Sequence, residues 1–185
     1  MIKRGRPLLV VAAVGAFLIV AVSVVVVVSL IRDDVASRAC PAQLQADESK
    51  VRSDRNWTEM DLPGVGDYAE VHWQLRAAGD PCLRAPGPTD WHYQGVIRLR
   101  PEDATALAQG YSDWQSVPVS ATPSPGGYEW DTPSQMWSAL VPFVPVGVSW
   151  SHSLSYANTQ FQHGRWGDLY LDPDKTVAFF VLYDH

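Results

Sequence analysis

A single histidine in an alternating stretch is the residue of this sequence best suited to acid–base chemistry. His152 lies between Trp150 and Leu154, where apolar and small polar residues alternate. A buried imidazole requires a hydrogen-bond partner, and a carboxylate in that position would make it a candidate general base. A core histidine with satisfied hydrogen bonds is the more common arrangement, so both interpretations stay open.

The other histidines and several aspartates could in principle bind a metal ion, but their spacing matches no known metal-binding motif. His72 and His92 fall on the polar faces of two predicted strands and, with His163, offer three imidazoles. Three aspartates offer oxygen ligands for calcium without the glycine and distal glutamate of an EF-hand loop. They are Asp168, Asp172 and Asp174. Surface histidines and a hairpin turn explain these residues more simply, so we predict no metal and no cofactor.

The strongest candidate for a binding site is an aromatic and acidic cluster at the end of a long loop. Residues 117–131 contain three prolines and two adjacent glycines, and a loop of this length inside a compact domain is often functional. Exposed aromatic rings beside carboxylates stack on sugars or surround cations. The alternative is a loop that folds back onto the sheet. The predicted binding residues are Trp114, Tyr128, Glu129, Trp130 and Asp131.

The sequence lacks the local motifs that mark common enzyme classes. It contains no Gly-x-Ser-x-Gly, no Walker loop, no Gly-x-Gly-x-x-Gly, no His-Glu-x-x-His and no Cys-x-x-Cys. Catalytic groups assemble in space and not in sequence, so the absence lowers the expectation of an enzyme without removing it.

Strands must position the candidate site residues. They are predicted where apolar and polar residues alternate along the sequence. Residues 177–183 are apolar on both sides, which indicates a central strand covered by helices. About five antiparallel strands result. Their ranges are 68–76, 91–100, 146–156, 165–171 and 176–183.

Short helices complete the predicted domain. Pro101 opens a helix that Gly110 ends, and Thr132 begins a capping box before a short helix over 136–141. A further helix with a thin apolar stripe is predicted over 41–53. Strands and helices in this order predict an α+β domain with two or three short helices.

One apolar segment sets the predicted location of the chain. Residues 8–31 contain no charged side chain, and as a helix they would reach about 36 Å, enough to cross a hydrocarbon core of about 30 Å. Basic residues lie within 1–7, so the N-terminus is predicted to be cytoplasmic. Residues 32–39 form a spacer, and 40–185 an extracytoplasmic domain. A cleaved signal peptide is the alternative, although its apolar region would be shorter.

Charge and cysteine content agree with that location. The chain carries 14 basic and 20 acidic residues, a net charge of −6, which does not attract nucleic acid. Two cysteines, Cys40 and Cys82, predict one disulfide in an oxidising compartment. Closing a loop of about 43 residues would stabilise the fold by roughly 4 kcal/mol in the chain-entropy model.

Three functional hypotheses fit these observations. The first is a single-pass, membrane-anchored domain that acts as a binding or interaction module at the cell envelope, with a protein or an envelope polymer as its partner. The second is a membrane-tethered hydrolase or transferase that acts on envelope polymers through His152 or a pair of acids. The third is an accessory subunit of a membrane complex, for which the apolar segment offers little support because it has no Gly-x-x-x-Gly.

Overall fold

The structure is a computed structural model of the 185-residue chain. It describes residues 39–55, 62, 64–82, 90–117, 132–161 and 165–184. Contacts divide the chain into two units, Met1–Leu44 and Gln45–His185. The predicted membrane segment, 8–31, lies outside the described residues. None of the helices in the described ranges is long and apolar enough to cross a membrane.

The described residues form an α+β fold, which confirms the predicted class. The helices are α1 (residues 39–48), α2 (Pro101–Gly110) and α3 (Leu154–Gln160). The strands are β1 (Glu70–Ala77), β2 (Trp91–Arg98), β3 (Gln115–Ser116), β4 (Ser151–His152), β5 (Arg165–Asp172) and β6 (Val177–Asp184). All neighbouring strands are antiparallel, in the order β1-β2-β6-β5-β4-β3. The sheet therefore has six strands where about five were predicted.

The β5–β6 hairpin forms the middle of the sheet, as its apolar sequence indicates. Every side chain from Val177 to Leu182 is buried. Beside β6, Gly95 of β2 lies opposite Phe180, and a Cβ atom at Gly95 would stand 2.4 Å from the Phe180 ring. A glycine is needed there because the ring of the neighbouring strand occupies the space of a side chain.

Helices cover one face of the sheet, which we call the helix face. Alternate residues of the strands point to this face, and they pack against Ala104 and Leu107 of α2 and Tyr156 of α3. The buried strand residues on the helix face include Val71, Trp73, Ile97, Leu169, Phe180 and Leu182. The cluster is apolar throughout, so its burial is the main source of stability on this side.

An irregular segment, residues 132–150, covers the opposite face, which we call the loop face. Its Trp137 and Leu140 are buried against Val96, Phe179 and Val181 of the strands. A capping box at Thr132 is confirmed, but the helix predicted after it is wrong. The segment instead makes two short 3-10 turns, Pro133–Gln135 and Val141–Phe143. Pro142 lacks the amide hydrogen that a helix continuing from 136–141 would need at that position, so no longer helix forms there.

The strand predicted over 146–156 is also wrong. Only Ser151 and His152 pair with the sheet, and α3 begins at Leu154. The Ser153 hydroxyl accepts a hydrogen bond from the Tyr156 amide (3.1 Å), which caps the helix. Tyr156 is thereby directed into the helix face and is fully buried. The Ser153 cap and the burial of Tyr156 therefore favour a helix here, although the alternating sequence pattern predicts a strand.

Asp113 anchors the start of α3. Its carboxylate accepts a hydrogen bond from the Ser153 hydroxyl (2.5 Å) and another from the Ser155 amide (2.9 Å). These donors, the Ser153 hydroxyl first, lower the pKa of the Asp113 carboxyl because they stabilise its charged form.

The predicted disulfide is confirmed. Cys40 and Cys82, the two cysteines of the chain, are bonded to each other. The bond joins α1 to the connection that follows β1.

Candidate functional site

The larger of two neighbouring pockets on the loop face brings charged and apolar side chains together. This charged pocket encloses about 380 Å³. β1 and β2 contribute Glu70, His72, Val96 and Arg98, and the irregular segment contributes residues 142–146. The strand side chains converge because Glu70 pairs with Arg98 and His72 with Val96 in the β1–β2 register. Strand alternation therefore places all four on the same face.

The imidazole of His72 is fixed between a carboxylate and an aromatic ring. Its Nε2 atom lies 2.5 Å from Oε1 of Glu70. Its ring stacks on the Phe143 ring with a centroid distance of 3.6 Å and an interplanar angle of 14°. These two contacts orient one wall of the charged pocket and join the strand to the irregular segment.

Arg98 is the cationic group of the charged pocket. Within the described residues, no carboxylate lies within ion-pairing distance of its guanidinium. Arg100, two residues further along the chain, instead pairs with Asp67 at 2.5 Å. The Glu70 carboxylate, although it belongs to the residue opposite Arg98, is hydrogen-bonded to His72. Arg98 is therefore available to an anionic group that enters the pocket.

A second, apolar pocket adjoins the charged pocket. It encloses about 230 Å³ and shares Val144 and Pro145 with its neighbour. Val117 and Pro133 also line it. In the sequence, Val117 precedes residues 118–131, and Pro133 follows them after Thr132. The predicted binding residues Tyr128, Glu129, Trp130 and Asp131 lie outside the described residues.

Trp114, the remaining predicted binding residue, lies against the helix-face core. Its indole is half-buried and contacts the rings of Tyr111 and Tyr156, each with a centroid distance of 6.5 Å. Its buried Nε1 has no hydrogen-bond acceptor among the described residues. Trp114 lines neither the charged nor the apolar pocket.

His152 has the carboxylate partner that a buried imidazole requires. Its Nε2 atom lies 2.6 Å from Oδ1 of Asp168, a buried side chain on the adjacent strand. No hydroxyl or thiol of the described residues forms a hydrogen bond with His152, and the Ser153 hydroxyl is directed to Asp113 instead. Neither pocket includes this pair.

The histidines considered as metal ligands are far apart. His92 pairs with Arg76, four residues along β1 from His72, which separates the two histidines by roughly 13 Å. His92 stacks on Tyr183 with a centroid distance of 4.2 Å. His163 lies outside the described residues. In the described ranges, no group of three His, Cys, Asp or Glu side chains could hold a metal ion.

Two of the aspartates considered as calcium ligands form hydrogen bonds with different partners. Asp168 pairs with His152, whereas Asp172 accepts hydrogen bonds from the amides of Ser149 (2.6 Å) and Lys175 (3.1 Å). Asp172 thus fixes the hairpin turn and one end of the irregular segment.

Sequence reasoning did not single out Glu70, Arg98 or Phe143. The alternation of β1 and β2 places Glu70 and Arg98 on a polar face, but a polar face is usually only solvated. The useful signal would have been the β1–β2 register, which places Glu70 opposite Arg98 and close to His72.

In comparisons with known proteins, no protein family, no curated protein and no solved structure matches this chain.

Proposed function

We propose that this chain is a single-pass membrane protein whose extracytoplasmic domain, residues 40–185, acts as a binding or interaction module at the cell envelope. Residues 8–31 are its membrane anchor, and residues 1–7 remain in the cytoplasm. The Cys40–Cys82 disulfide supports this location because such bonds persist mainly in oxidising compartments. The partner is a protein or an envelope polymer, and no nucleic acid is involved.

The pair of adjoining pockets on the loop face is the observation that carries the binding role. Charged and apolar groups converge there in an open site on a sheet, the arrangement typical of ligand sites. Val117 and Pro133, which line the apolar pocket, are close in sequence to the two ends of residues 118–131. We therefore retain the aromatic and acidic cluster of that loop as the proposed contact with the partner. Its residues are Tyr128, Glu129, Trp130 and Asp131, with Trp114 nearby in sequence.

Retention of a partner by the full-length chain tests the binding role. Solubilised membranes and purified envelope polymer are each passed over the immobilised protein. We expect the double variant Tyr128→Ala/Trp130→Ala to retain less material, because two aromatic contacts are lost. Leu154→Ala, which shortens an exposed apolar side chain elsewhere, is the matched control. Equal retention by both variants, with both folds intact, would remove the loop from the binding site.

Protease accessibility tests the membrane topology. When the outer surface of intact spheroplasts is treated with protease, we expect residues 40–185 to be digested and the anchor to remain in the membrane. Protection of the C-terminal domain would contradict the proposed orientation. A mature protein that lacks its first forty residues would contradict the anchor.

A membrane-tethered hydrolase or transferase is the second candidate, and the His152–Asp168 contact is the observation that favours it. A carboxylate on one imidazole nitrogen orients the ring and supports its use as a general base. We expect such an enzyme to release soluble fragments from envelope polymer, and His152→Ala to abolish the release. Release that continues unchanged in His152→Ala would exclude this mechanism.

A further inference from the structure

The wall of the charged pocket carries opposite charges side by side. Glu70 and Arg98 are directly paired across the antiparallel strands, and such cross-strand neighbours have Cβ atoms about 5 Å apart. The Glu70 carboxylate uses Oε1 for His72, and its Oε2 atom has no partner among the described residues. The Arg98 guanidinium has no carboxylate partner in the same ranges. Both charged groups therefore border the pocket without forming an ion pair with each other.

This arrangement discriminates between ligands by their charge. A purely anionic ligand on Arg98 would be repelled by the Glu70 carboxylate, and a purely cationic ligand on Glu70 would be repelled by the Arg98 guanidinium. A ligand that carries both charges a few ångströms apart satisfies the two side chains together. The planar guanidinium is particularly suited to a carboxylate, which it can bind through two hydrogen bonds.

The remaining walls are apolar and of limited size. Phe143 borders the pocket inside, Val96 is almost fully buried at its base, and Val146 stands at its edge with 94% of its surface exposed. A volume of about 380 Å³ lies at the small end of ligand pockets. The pocket therefore favours a small molecule with a short hydrocarbon group.

We propose that the charged pocket binds a small zwitterion, an apolar amino acid or a short peptide, with its carboxylate on Arg98 and its ammonium on Glu70. The hydrocarbon side chain lies against Phe143 and Val146, and His72 holds the Glu70 carboxylate in place. This inference rests on the proposed binding role and gives it a ligand class. It makes no use of the loop 118–131.

Calorimetric titration of the full-length chain in detergent micelles tests the inference, with four probes. L-Leucine carries both charges, N-acetyl-leucine lacks the ammonium, leucinamide lacks the carboxylate, and the dipeptide Leu-Leu separates the charges. We expect saturable binding of leucine or of Leu-Leu, whichever spacing matches the site. We expect N-acetyl-leucine and leucinamide to bind at least about tenfold more weakly, because each loses a charge-assisted hydrogen bond.

Charge-removing variants identify the residues involved. Arg98→Gln should weaken binding of the zwitterion at least about tenfold. Glu70→Gln should weaken it similarly but improve binding of N-acetyl-leucine, because the repulsion of its carboxylate is removed. Arg100→Gln is the matched control, since Arg100 pairs with Asp67 outside the pocket. Circular dichroism confirms that each variant remains folded.

Two results would overturn the proposal. One is N-acetyl-leucine that binds the unsubstituted chain as tightly as leucine, which would indicate a simple anion site. The other is the absence of saturable binding by any of the four probes. If none of the four probes binds while a partner is still retained through Tyr128 and Trp130, the zwitterion proposal is wrong and the proposed binding role remains. If leucine binds while no partner is retained, the proposed contact through residues 118–131 is wrong.

Discussion

The two faces of the sheet are covered in different ways, and the difference explains where the pockets lie. On the helix face, α2 and α3 cover an apolar cluster that includes Ile97, Tyr156 and Phe180, all fully buried. On the loop face, the cover is the irregular segment 132–150, and the sheet beneath it includes buried polar residues. They are Gln74, Gln94, Asp168 and Asp172.

Backbone hydrogen bonding accounts for this contrast. A helix satisfies its own interior amides and carbonyls, whereas an irregular segment needs partners from elsewhere. Gln94 accepts a hydrogen bond from the Trp137 amide (2.9 Å), and Asp172 accepts one from the Ser149 amide (2.6 Å). Outside this segment, Gln74 donates to the carbonyls of Glu48 and Ser49 at the end of α1, where the last carbonyls of a helix have no donors within the helix. The strands must therefore present polar side chains on the loop face, and this is the face with the charged pocket.

The largest effect is expected from the apolar core of the helix face. Phe180→Ala should lower the free energy of unfolding by about 3–5 kcal/mol, because a fully buried ring leaves a cavity. Urea unfolding followed by fluorescence measures the change. Phe143→Ala on the loop face removes a half-buried ring and should lower the free energy of unfolding clearly less than Phe180→Ala does. Equal losses would mean that the two faces contribute alike to stability.

A polar substitution on the loop face is expected to have an intermediate effect. Gln94→Met keeps the size of the side chain but leaves the Trp137 amide without its acceptor, which should cost about 1–3 kcal/mol. Gln115→Met, at an exposed position of β3, should change stability by less than about 0.5 kcal/mol. Chemical denaturation of both variants makes the comparison. A neutral Gln94→Met would show that the irregular segment does not depend on sheet side chains.

A smaller effect is expected at the start of α3, where the helix face uses a polar contact. Ser153→Ala removes the cap on the Tyr156 amide and should cost about 1 kcal/mol in unfolding free energy. Ser112→Ala, at an exposed position nearby, provides the control. Thermal unfolding that is identical in the two variants would contradict a role for the cap.

The smallest effect is expected from Asp113 and depends on pH. Its folded-state pKa is lowered by the Ser153 hydroxyl and the Ser155 amide, so its stabilisation is present above the unfolded-state pKa and is lost as pH falls through the folded-state pKa. Asp113→Asn should therefore flatten the loss of stability between neutral and acidic pH. Urea midpoints over that range test this, and parallel pH profiles for the two proteins would refute it.

Much of the sheet could be predicted from the sequence because its strands carry their own pattern. Val71 and Trp73 alternate with polar residues, and the apolar run of β6 becomes the central strand that its composition predicts. The alternation over 146–156 was equally clean, yet most of it is not strand. Local periodicity cannot report that Ser153 is held by Asp113, forty residues earlier in the chain.

The candidate site was less predictable than the fold. The sequence predicts His152 as a candidate general base, and the structure places Asp168 beside it, but this role stays a prediction. The charged pocket was missed because its members come from two strands and a distant segment, and only the pairing register sets Glu70 beside Arg98. Individually, each is an ordinary surface charge.

By itself, the sequence determined the α+β class, the central hairpin, the helix after Pro101 and the cysteine pair, since each depends on neighbouring residues or on composition. The tertiary structure decided which face of the sheet receives helices and which receives an irregular cover. It also decided which charges remain unpaired, because pairing depends on distances between residues remote in sequence. For Arg98, no carboxylate of the described residues lies within ion-pairing distance, and the sequence alone could not show this.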